Sequence, residues 1–342
     1  MITVSFGHDR NKNANTFRGI GMYSTQLQHA LSKMPNVSVS ENNPDLVHYP
    51  FFDLFFHTLP LQKKKPTVVT IHDVIPFVYP NAYPVGIRGY ISHIFQRLSL
   101  NSVKMILTDS ECSKRDIQKY LHVPKEKIVV TYLAGNPELQ KIQDDSQLKE
   151  IQEKYYLPST YILYVGDMNY NKNLLSLLGS VALLSKEVHA VLVGRSLMNT
   201  SIPEGRALHE EIQRLHLENR VHILSNIPHA PASILSSIYS MASCYVQPSL
   251  YEGFGLSVLD AMQCEVPVVS TSGGSLPEVG GDAVVYADSP SADDLARAIQ
   301  TVFDFTPTQK QRLIEQGKQN LKRFSWEKCA LETLEVYKSC LE

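Results

Sequence analysis

Cysteine is scarce and unpaired in this chain: Cys112, Cys244, Cys264, Cys329 and Cys340 are odd in number and form no Cys-x-x-Cys pair. That spacing argues against a zinc knuckle or a disulfide framework and predicts reduced, mostly buried thiols. No run reaches the ~18 uncharged apolar residues of a spanning helix. The opening hexamer Met1-Ile2-Thr3-Val4-Ser5-Phe6 is strand-like and has no cationic leader, so a cytoplasmic protein is expected. Several chemistries lack their signatures. There is no Gly-x-x-x-x-Gly-Lys-Ser/Thr loop and no Gly-x-Ser-x-Gly elbow, and His209-Glu210-Glu211 lacks the second histidine of a His-Glu-x-x-His zinc site. No basic aromatic stripe suits nucleic acid, so none is expected as a partner.

A strong charge of one sign is also missing, since the net charge is −2. The balance is nevertheless uneven: residues 1 to 140 carry 15 Lys and Arg against 10 Asp and Glu, and the remainder carries 17 against 24. A mildly basic first half suits anionic lipid headgroups or a phosphorylated acceptor, and so peripheral contact with the inner face of a membrane. Lys63-Lys64-Lys65 reads first as a solvated loop. Ile87, Tyr90, Ile91, Ile94 and Leu98 fall on one helical face with Arg88 and Arg97 elsewhere, a pattern that could serve a membrane surface but that core packing explains first.

What is present is ample core-forming material, 43 % hydrophobic over 342 residues, enough for two domains. Short β-branched runs alternate with helical patterns from end to end, which predicts α/β architecture with parallel sheets. In the first half the strands are expected at Ile2 to Phe6, Asp45 to Tyr49, Thr67 to Ile71, Met105 to Thr108 and Ile128 to Thr131. Helices are expected at Gly21 to Leu31, Ile87 to Leu100 and Cys112 to Leu121, the last capped by Ser110. Glu138 to Glu153 is polar and reads as a linker with a short exposed helix. A second series then runs through Tyr161 to Gly166, Ala190 to Gly194, Val221 to Leu224, Ala242 to Gln247, Val266 to Ser270 and Ala283 to Tyr286. The expected domains are 1–150, 151–325 and a closing helix at 326–342.

The densest signal is Tyr251-Glu252-Gly253-Phe254-Gly255-Leu256-Ser257-Val258-Leu259-Asp260. It follows a strand-like run and leads into apolar residues at helical spacing, so it points free backbone N–H groups at an anion. Glu252 and Asp260 bracket that turn, a geometry suited to a nucleotide sugar. Other loaded loops follow predicted strands. Gly19-Ile20-Gly21 opens a helix where backbone could approach a diphosphate. His72 stands beside Asp73, placed for a hydroxyl contact or proton handling, or else satisfied by Asp73 or by backbone. Lys172 lies at a helix start, where it is solvated unless a phosphate site adjoins it.

Together these residues resemble a retaining glycosyltransferase of family 4. The likeness runs from Arg18-Gly19-Ile20-Gly21 to Phe324-Ser325-Trp326-Glu327-Lys328 and is strongest from Gln247 to Asp288, through Pro248-Ser249-Leu250-Tyr251-Glu252-Gly253-Phe254-Gly255 and Gly273-Gly274-Ser275-Leu276-Pro277-Glu278. The resemblance implies the GT-B fold, two facing Rossmann-like domains with a C-terminal helix crossing back to the first. It implies transfer of a sugar from a nucleotide diphosphate sugar to a saccharide or lipid-linked acceptor, with retention and with no metal or other cofactor required. Glu252 then matches the first acid of the Glu-x7-Glu motif, near the anomeric centre, and Asp260 the second, on the ribose. Phe254, Gly255 and Leu256 match backbone donors to sugar and phosphate. His72 matches a histidine that meets the donor sugar, Gly19 and Gly21 the glycine loop over the diphosphate, and Lys172 the lysine that neutralises it.

Two departures stand out. Asp260 is one methylene shorter than the usual Glu, and Asp167 and Asn171 stand where many members place an arginine near the lysine. Arg195 is the candidate replacement cation. The run His72 to Pro80 is similar to bacterial members that use GDP-mannose in surface polysaccharide assembly, so mannose is the expected sugar. The rival reading is a non-catalytic nucleotide-sugar-binding partner or scaffold subunit of the same fold.

Overall fold

The computed structural model of the chain describes residues 1–7, 19–228 and 231–342. Phe17 and Arg18, which lead into the expected glycine turn, lie outside the described residues. The chain forms two compact units, Met1–Ala134 with Phe324–Glu342, and Gly135–Arg323.

Among the described residues the first unit holds β1 (Ile2–Phe6), α1 (Gly19–Ser32), β2 (Val37–Val39), β3 (Leu46–Tyr49), β4 (Thr67–Thr70), α2 (Ile75–Val78), α3 (Ile87–Leu100), β5 (Met105–Thr108), α4 (Glu111–Leu121) and β6 (Ile128–Val130). The strands pair in parallel in the order β2-β1-β3-β4-β5-β6. A parallel sheet covered on both faces needs continuous apolar runs, and β4 is buried along its whole length. The Ser110 hydroxyl accepts the Ser113 N–H at 2.9 Å and caps α4, as expected. β2 carries no sequence expectation: it is a three-residue strand at the sheet edge, too short for a periodic signal.

The second unit holds α5 (Asp145–Lys154), β7 (Tyr161–Val165), α6 (Leu174–Leu183), β8 (His189–Val193), α7 (Pro203–Arg214), β9 (Val221–Leu224), α8 (Ser233–Met241), β10 (Cys244–Gln247), α9 (Leu256–Gln263), β11 (Val268–Ser270), α10 (Leu276–Gly280), β12 (Val285–Tyr286), α11 (Ala292–Asp304) and α12 (Pro307–Leu321). Its parallel order is β12-β11-β10-β7-β8-β9. The winding reverses between β7 and β10, and open α/β sheets bind ligands at the carboxyl ends of strands at such a reversal. Leu163 and Val246 are fully buried on these two strands, and Leu178, Val181 and Ile299 close the core from α6 and α11. The final helix, α13 (Trp326–Leu341), belongs to the first unit, where the Tyr337 hydroxyl lies 2.7 Å from His48 Nδ1.

Two expectations need correction. The boundary falls between Ala134 and Gly135 rather than at 150, because the polar stretch before β7 packs into the second unit. Leu139, Ile142 and Ile151 are buried, and the Gln140 and Ile142 N–H groups donate to the hydroxyls of Ser236 and Ser240 on α8. The apolar stripe of α3, read first as core, is instead its outer face: Ile87, Tyr90, Ile91, Ile94, Phe95 and Leu98 are 42 to 83 % exposed. The inward face is polar because it ties down the 53–59 loop. Gln96, 1 % exposed, donates to the Asp53 carbonyl and the Thr58 hydroxyl at 2.8 Å and accepts the Leu59 N–H.

Candidate active site

Glu252 stands just beyond β10, at the winding reversal of the second sheet, and its backbone is clamped from two sides. It forms an isolated parallel bridge to Gly274, where φ is +66° and an added Cβ would lie 2.3 Å from the Glu252 carbonyl oxygen. Only glycine accepts both that dihedral and that approach. The Ser275 N–H donates to the same carbonyl at 3.0 Å, and Ser275 Oγ lies 2.8 Å from the Phe254 carbonyl. From the other side, buried Asn171 donates to the Tyr251 carbonyl at 2.9 Å and its own carbonyl accepts the Leu250 N–H at 2.7 Å. Asn171 is therefore spent on holding this loop, at a position where the resemblance leads one to look for a cation.

The Glu252 side chain is buried and accepts four hydrogen bonds from three donor groups. Oε1 receives the Ser249 hydroxyl at 2.6 Å, the Gln247 amide at 2.8 Å and Lys172 Nζ at 2.8 Å, while Oε2 receives Lys172 Nζ at 2.8 Å. Lys172 closes a 3-10 turn, Tyr170–Lys172, after β7, and Asn173 then enters α6 through a left-handed conformation with φ 55°. The strand order thus brings together two residues eighty positions apart. Neither the pairing nor the supporting roles of Gln247, Ser249, Asn171, Gly274 and Ser275 were assigned from sequence. The Gly273-Gly274 pair was the one visible hint of a close backbone approach.

Beyond Glu252 the chain turns through Gly255, φ +103°, into α9, so Leu256 opens the helix and buried Phe254 lies under the turn. The N–H groups of a first helical turn have no intrahelical acceptor and favour an anion. Asp260, one turn in, is partly buried, and its Oδ1 accepts the Asn136 N–H at 2.8 Å. Burial pushes its carboxyl up to about 7, against the opposing pull of that N–H. Arg195 opens the turn after β8 on the exposed surface. Gly194 before it approaches Gly166 so closely that an added Cβ would lie 2.0 Å from the Gly166 carbonyl oxygen, and the hydroxyl of neighbouring Ser196 donates to Asp167 at 3.1 Å. Arg195 therefore sits beside the loop that carries Asp167, in the layer of strand ends that also holds Lys172.

In the first unit His72 follows β4, and its partner is not the adjacent Asp73. Nδ1 is 2.7 Å from Asp109 Oδ2 and Nε2 is 3.1 Å from the Pro50 carbonyl, whereas Asp73 accepts the Ile75 N–H at the start of α2. Both ring nitrogens face acceptors, so the imidazolium satisfies the site. Burial is the largest influence and opposes that charge. The Asp109 carboxylate, its hydrogen bond, Asp73 and the Pro50 carbonyl outweigh it and hold the ring above its ordinary value. Gly19 and Gly21 both lie in α1, which includes two residues ahead of the expected start at Gly21. Tyr23, on the same turn of helix, meets His72 edge-on at 4.9 Å, so this corner gathers the glycines and the histidine.

The family description Glycosyl transferases group 1 matches residues 145–320, and that of Glycosyltransferase Family 4 matches residues 21–138. The chain is 33 % identical over 273 residues to O-antigen chain mannosyltransferase B of Escherichia coli, covering 79 % of this chain and 70 % of that protein. It is 27 % identical over 247 residues to O-antigen chain mannosyltransferase RfbU of Salmonella typhimurium, covering 72 % of this chain and 63 % of that one, so it spans under two thirds of this second relative. Two solved structures share the fold. Sucrose-phosphate synthase from Thermosynechococcus elongatus superposes with TM-score 0.78 at 18 % identity, covering 99 % of each chain. Anabaena Alr3699/HepE in complex with UDP and glucose gives 0.77 at 17 %, covering 99 % of this chain and 100 % of that one. The strand ends that carry Glu252, Lys172 and the α9 terminus lie inside the first matched region, and the chain belongs to the glycosyl transferases of group 1.

Proposed function

We propose that this glycosyltransferase moves mannose from GDP-mannose to a hydroxyl of a saccharide or lipid-linked acceptor in surface polysaccharide synthesis, with retention and without a metal, while in peripheral contact with a membrane. The observation that carries the reading is the Glu252 carboxylate, fixed by Ser249, Gln247 and Lys172 beside the α9 N-terminus. The mannosyltransferase relatives support the choice of sugar.

In this reading the diphosphate lies on the N–H groups around Phe254, Gly255 and Leu256, and Lys172 swings from Glu252 to its oxygens. Arg195 adds a second cation and Asp260 meets the ribose. The bond from the anomeric carbon to the phosphate oxygen breaks, its electron pair leaving with the diphosphate. The acceptor oxygen bonds to that carbon on the same face, and its proton passes to the departing phosphate. Glu252, released from Lys172, steadies the positive charge that develops on the sugar. The family resemblance also assigns His72, Gly19 and Gly21 to the donor, a role that rests on that likeness alone.

A thermal-shift screen with GDP, UDP, ADP and dTDP, followed by transfer from the matching sugar donors and NMR of the product's anomeric configuration, tests this. GDP stabilisation and an axial mannoside are expected. Stabilisation by UDP alone, or an inverted product, would overturn the donor or the stereochemistry respectively. Nucleotide-sugar binding without turnover across a broad acceptor panel would favour a partner subunit.

A further inference from the structure

The outer face of α3 is an exposed apolar surface that the transfer chemistry leaves unused. At 100° per residue, Ile87, Tyr90, Ile91, Ile94, Phe95 and Leu98 form one stripe, and Gln96, Ser99 and Leu100 occupy the opposite, buried side. Arg88 and Arg97, both exposed, lie on the two flanks of that stripe. The polarity of the helix is thus reversed relative to one that packs on a core. Its inward face is committed to the 53–59 loop through Gln96, and His93 lies 3.2 Å from the Leu54 carbonyl. Lys63 donates to the Ser99 carbonyl at the helix's C-terminal end, which brings exposed Lys64 and Lys65 to the same end.

We propose that this face of α3 docks on a bilayer that carries anionic headgroups. The helix would lie in the interface with its stripe among acyl chains and Arg88, Arg97 and the Lys64-Lys65 pair among phosphates. The inference deepens the membrane contact proposed above and rests on that reading for its setting. Charge complementarity selects the occupant. From Val74 to Thr108 the chain has no Asp or Glu, while Arg88, Arg97 and Lys104 lie within it. A two-fold contact with a second copy would set these cations against each other without a carboxylate from this stretch to pair them, whereas an anionic surface neutralises them all. Length agrees: fourteen residues at a rise of ~1.5 Å span ~21 Å, short of a ~30 Å hydrocarbon core, so the helix lies on the membrane instead of crossing it. Among the described residues no helix is long and apolar enough to cross one.

The test is flotation of the full chain with phosphatidylcholine vesicles, with and without phosphatidylglycerol, alongside the variants I87E/L98E and R88Q/R97Q. The wild type is expected to float with phosphatidylglycerol vesicles and to be released by salt. I87E/L98E should fall to background and R88Q/R97Q should bind about tenfold more weakly or less. Both variants should keep the thermal midpoint and the GDP-induced shift of the wild type, since all four positions are exposed. Equal flotation of wild type and both variants would move the contact elsewhere on the protein and overturn the assignment to α3. Absence of flotation would overturn the membrane contact as well, while the GDP shift separately reports on the transferase reading. A wild-type dimer that I87E/L98E converts to monomer, with no flotation, would give the face to a second copy. Should I87E/L98E not fold, R88Q/R97Q and the salt response decide between these outcomes.

Discussion

Replacing Lys172 by Met separates what the ion pair does for the fold from what the lysine does for the reaction. The Lys172 side chain is 21 % exposed and that of Glu252 is 8 %. The substitution leaves the carboxylate with Ser249 and Gln247 on Oε1, and Oε2 loses Lys172. Removing one partner of a buried pair costs about 3–5 kcal/mol. Two donors remain and water reaches the lysine side, so about 2–3 kcal/mol is expected here. For a unit of this size that lowers the thermal midpoint by roughly 5–10 °C. Changing Glu252 to Gln removes the stranded charge, so K172M/E252Q should regain most of the midpoint, with a coupling of about 2 kcal/mol in the double-mutant cycle. Turnover should behave differently. If Lys172 offsets the departing diphosphate as proposed, its loss should cost about 10²–10³ in kcat, and the double variant should not restore it. Calorimetry and initial rates at saturating GDP-mannose report the two effects. Additive midpoints, or turnover recovered in the double variant, would refute the reasoning.

Three further outcomes follow from the geometry. Gly274→Ala places a Cβ against the Glu252 backbone at a positive φ, so a loss of about 2 kcal/mol or more and a fall in turnover are expected; unchanged melting and rate would contradict the clamp. Asp260, raised to about 7 in the fold, binds its proton more tightly folded than unfolded. Its contribution to stability is full below about pH 4 and is lost as pH rises towards about 7. Asp260→Asn should therefore lose less thermal stability than the wild type between about pH 5 and 8, and an unchanged pH slope would count against a protonated Asp260. The His72 imidazolium contributes stability below its ordinary pKa that is lost as pH rises through its raised folded value. Asp109→Asn should move its NMR titration to lower pH, and an unmoved midpoint would remove Asp109 as the cause.

The sequence made the strands legible wherever burial on both faces demanded a short β-branched or apolar run, as in Thr67–Thr70 and His189–Val193. It made the Glu252 turn legible because two glycines, an acid and a helix start are local. The Lys172–Glu252 pair was not, since it depends on β7 and β10 being neighbours, and that is a property of strand order. His72 was read with its sequence neighbour Asp73, while the fold supplies Asp109 from the next strand. Periodicity located the stripe on α3 but not the side on which the protein lies. The polar residues opposite, Gln96 and Ser99, held that information, because buried polar groups need partners: Gln96 finds them in the 53–59 loop, and the Ser99 hydroxyl donates back to the Gln96 carbonyl. Residues 138–153 read as a linker because one helical isoleucine, Ile151, does most of the burying in α5.

The central claim, that a nucleotide sugar binds at the β7 and β10 strand ends of the second unit, is tested most directly by amide hydrogen exchange with and without GDP-mannose. Protection is expected in the loop and first turn from Gly253 to Ser257 and in the loop from Gly166 to Lys172. Stabilisation by GDP-mannose with exchange unchanged in both segments would contradict it.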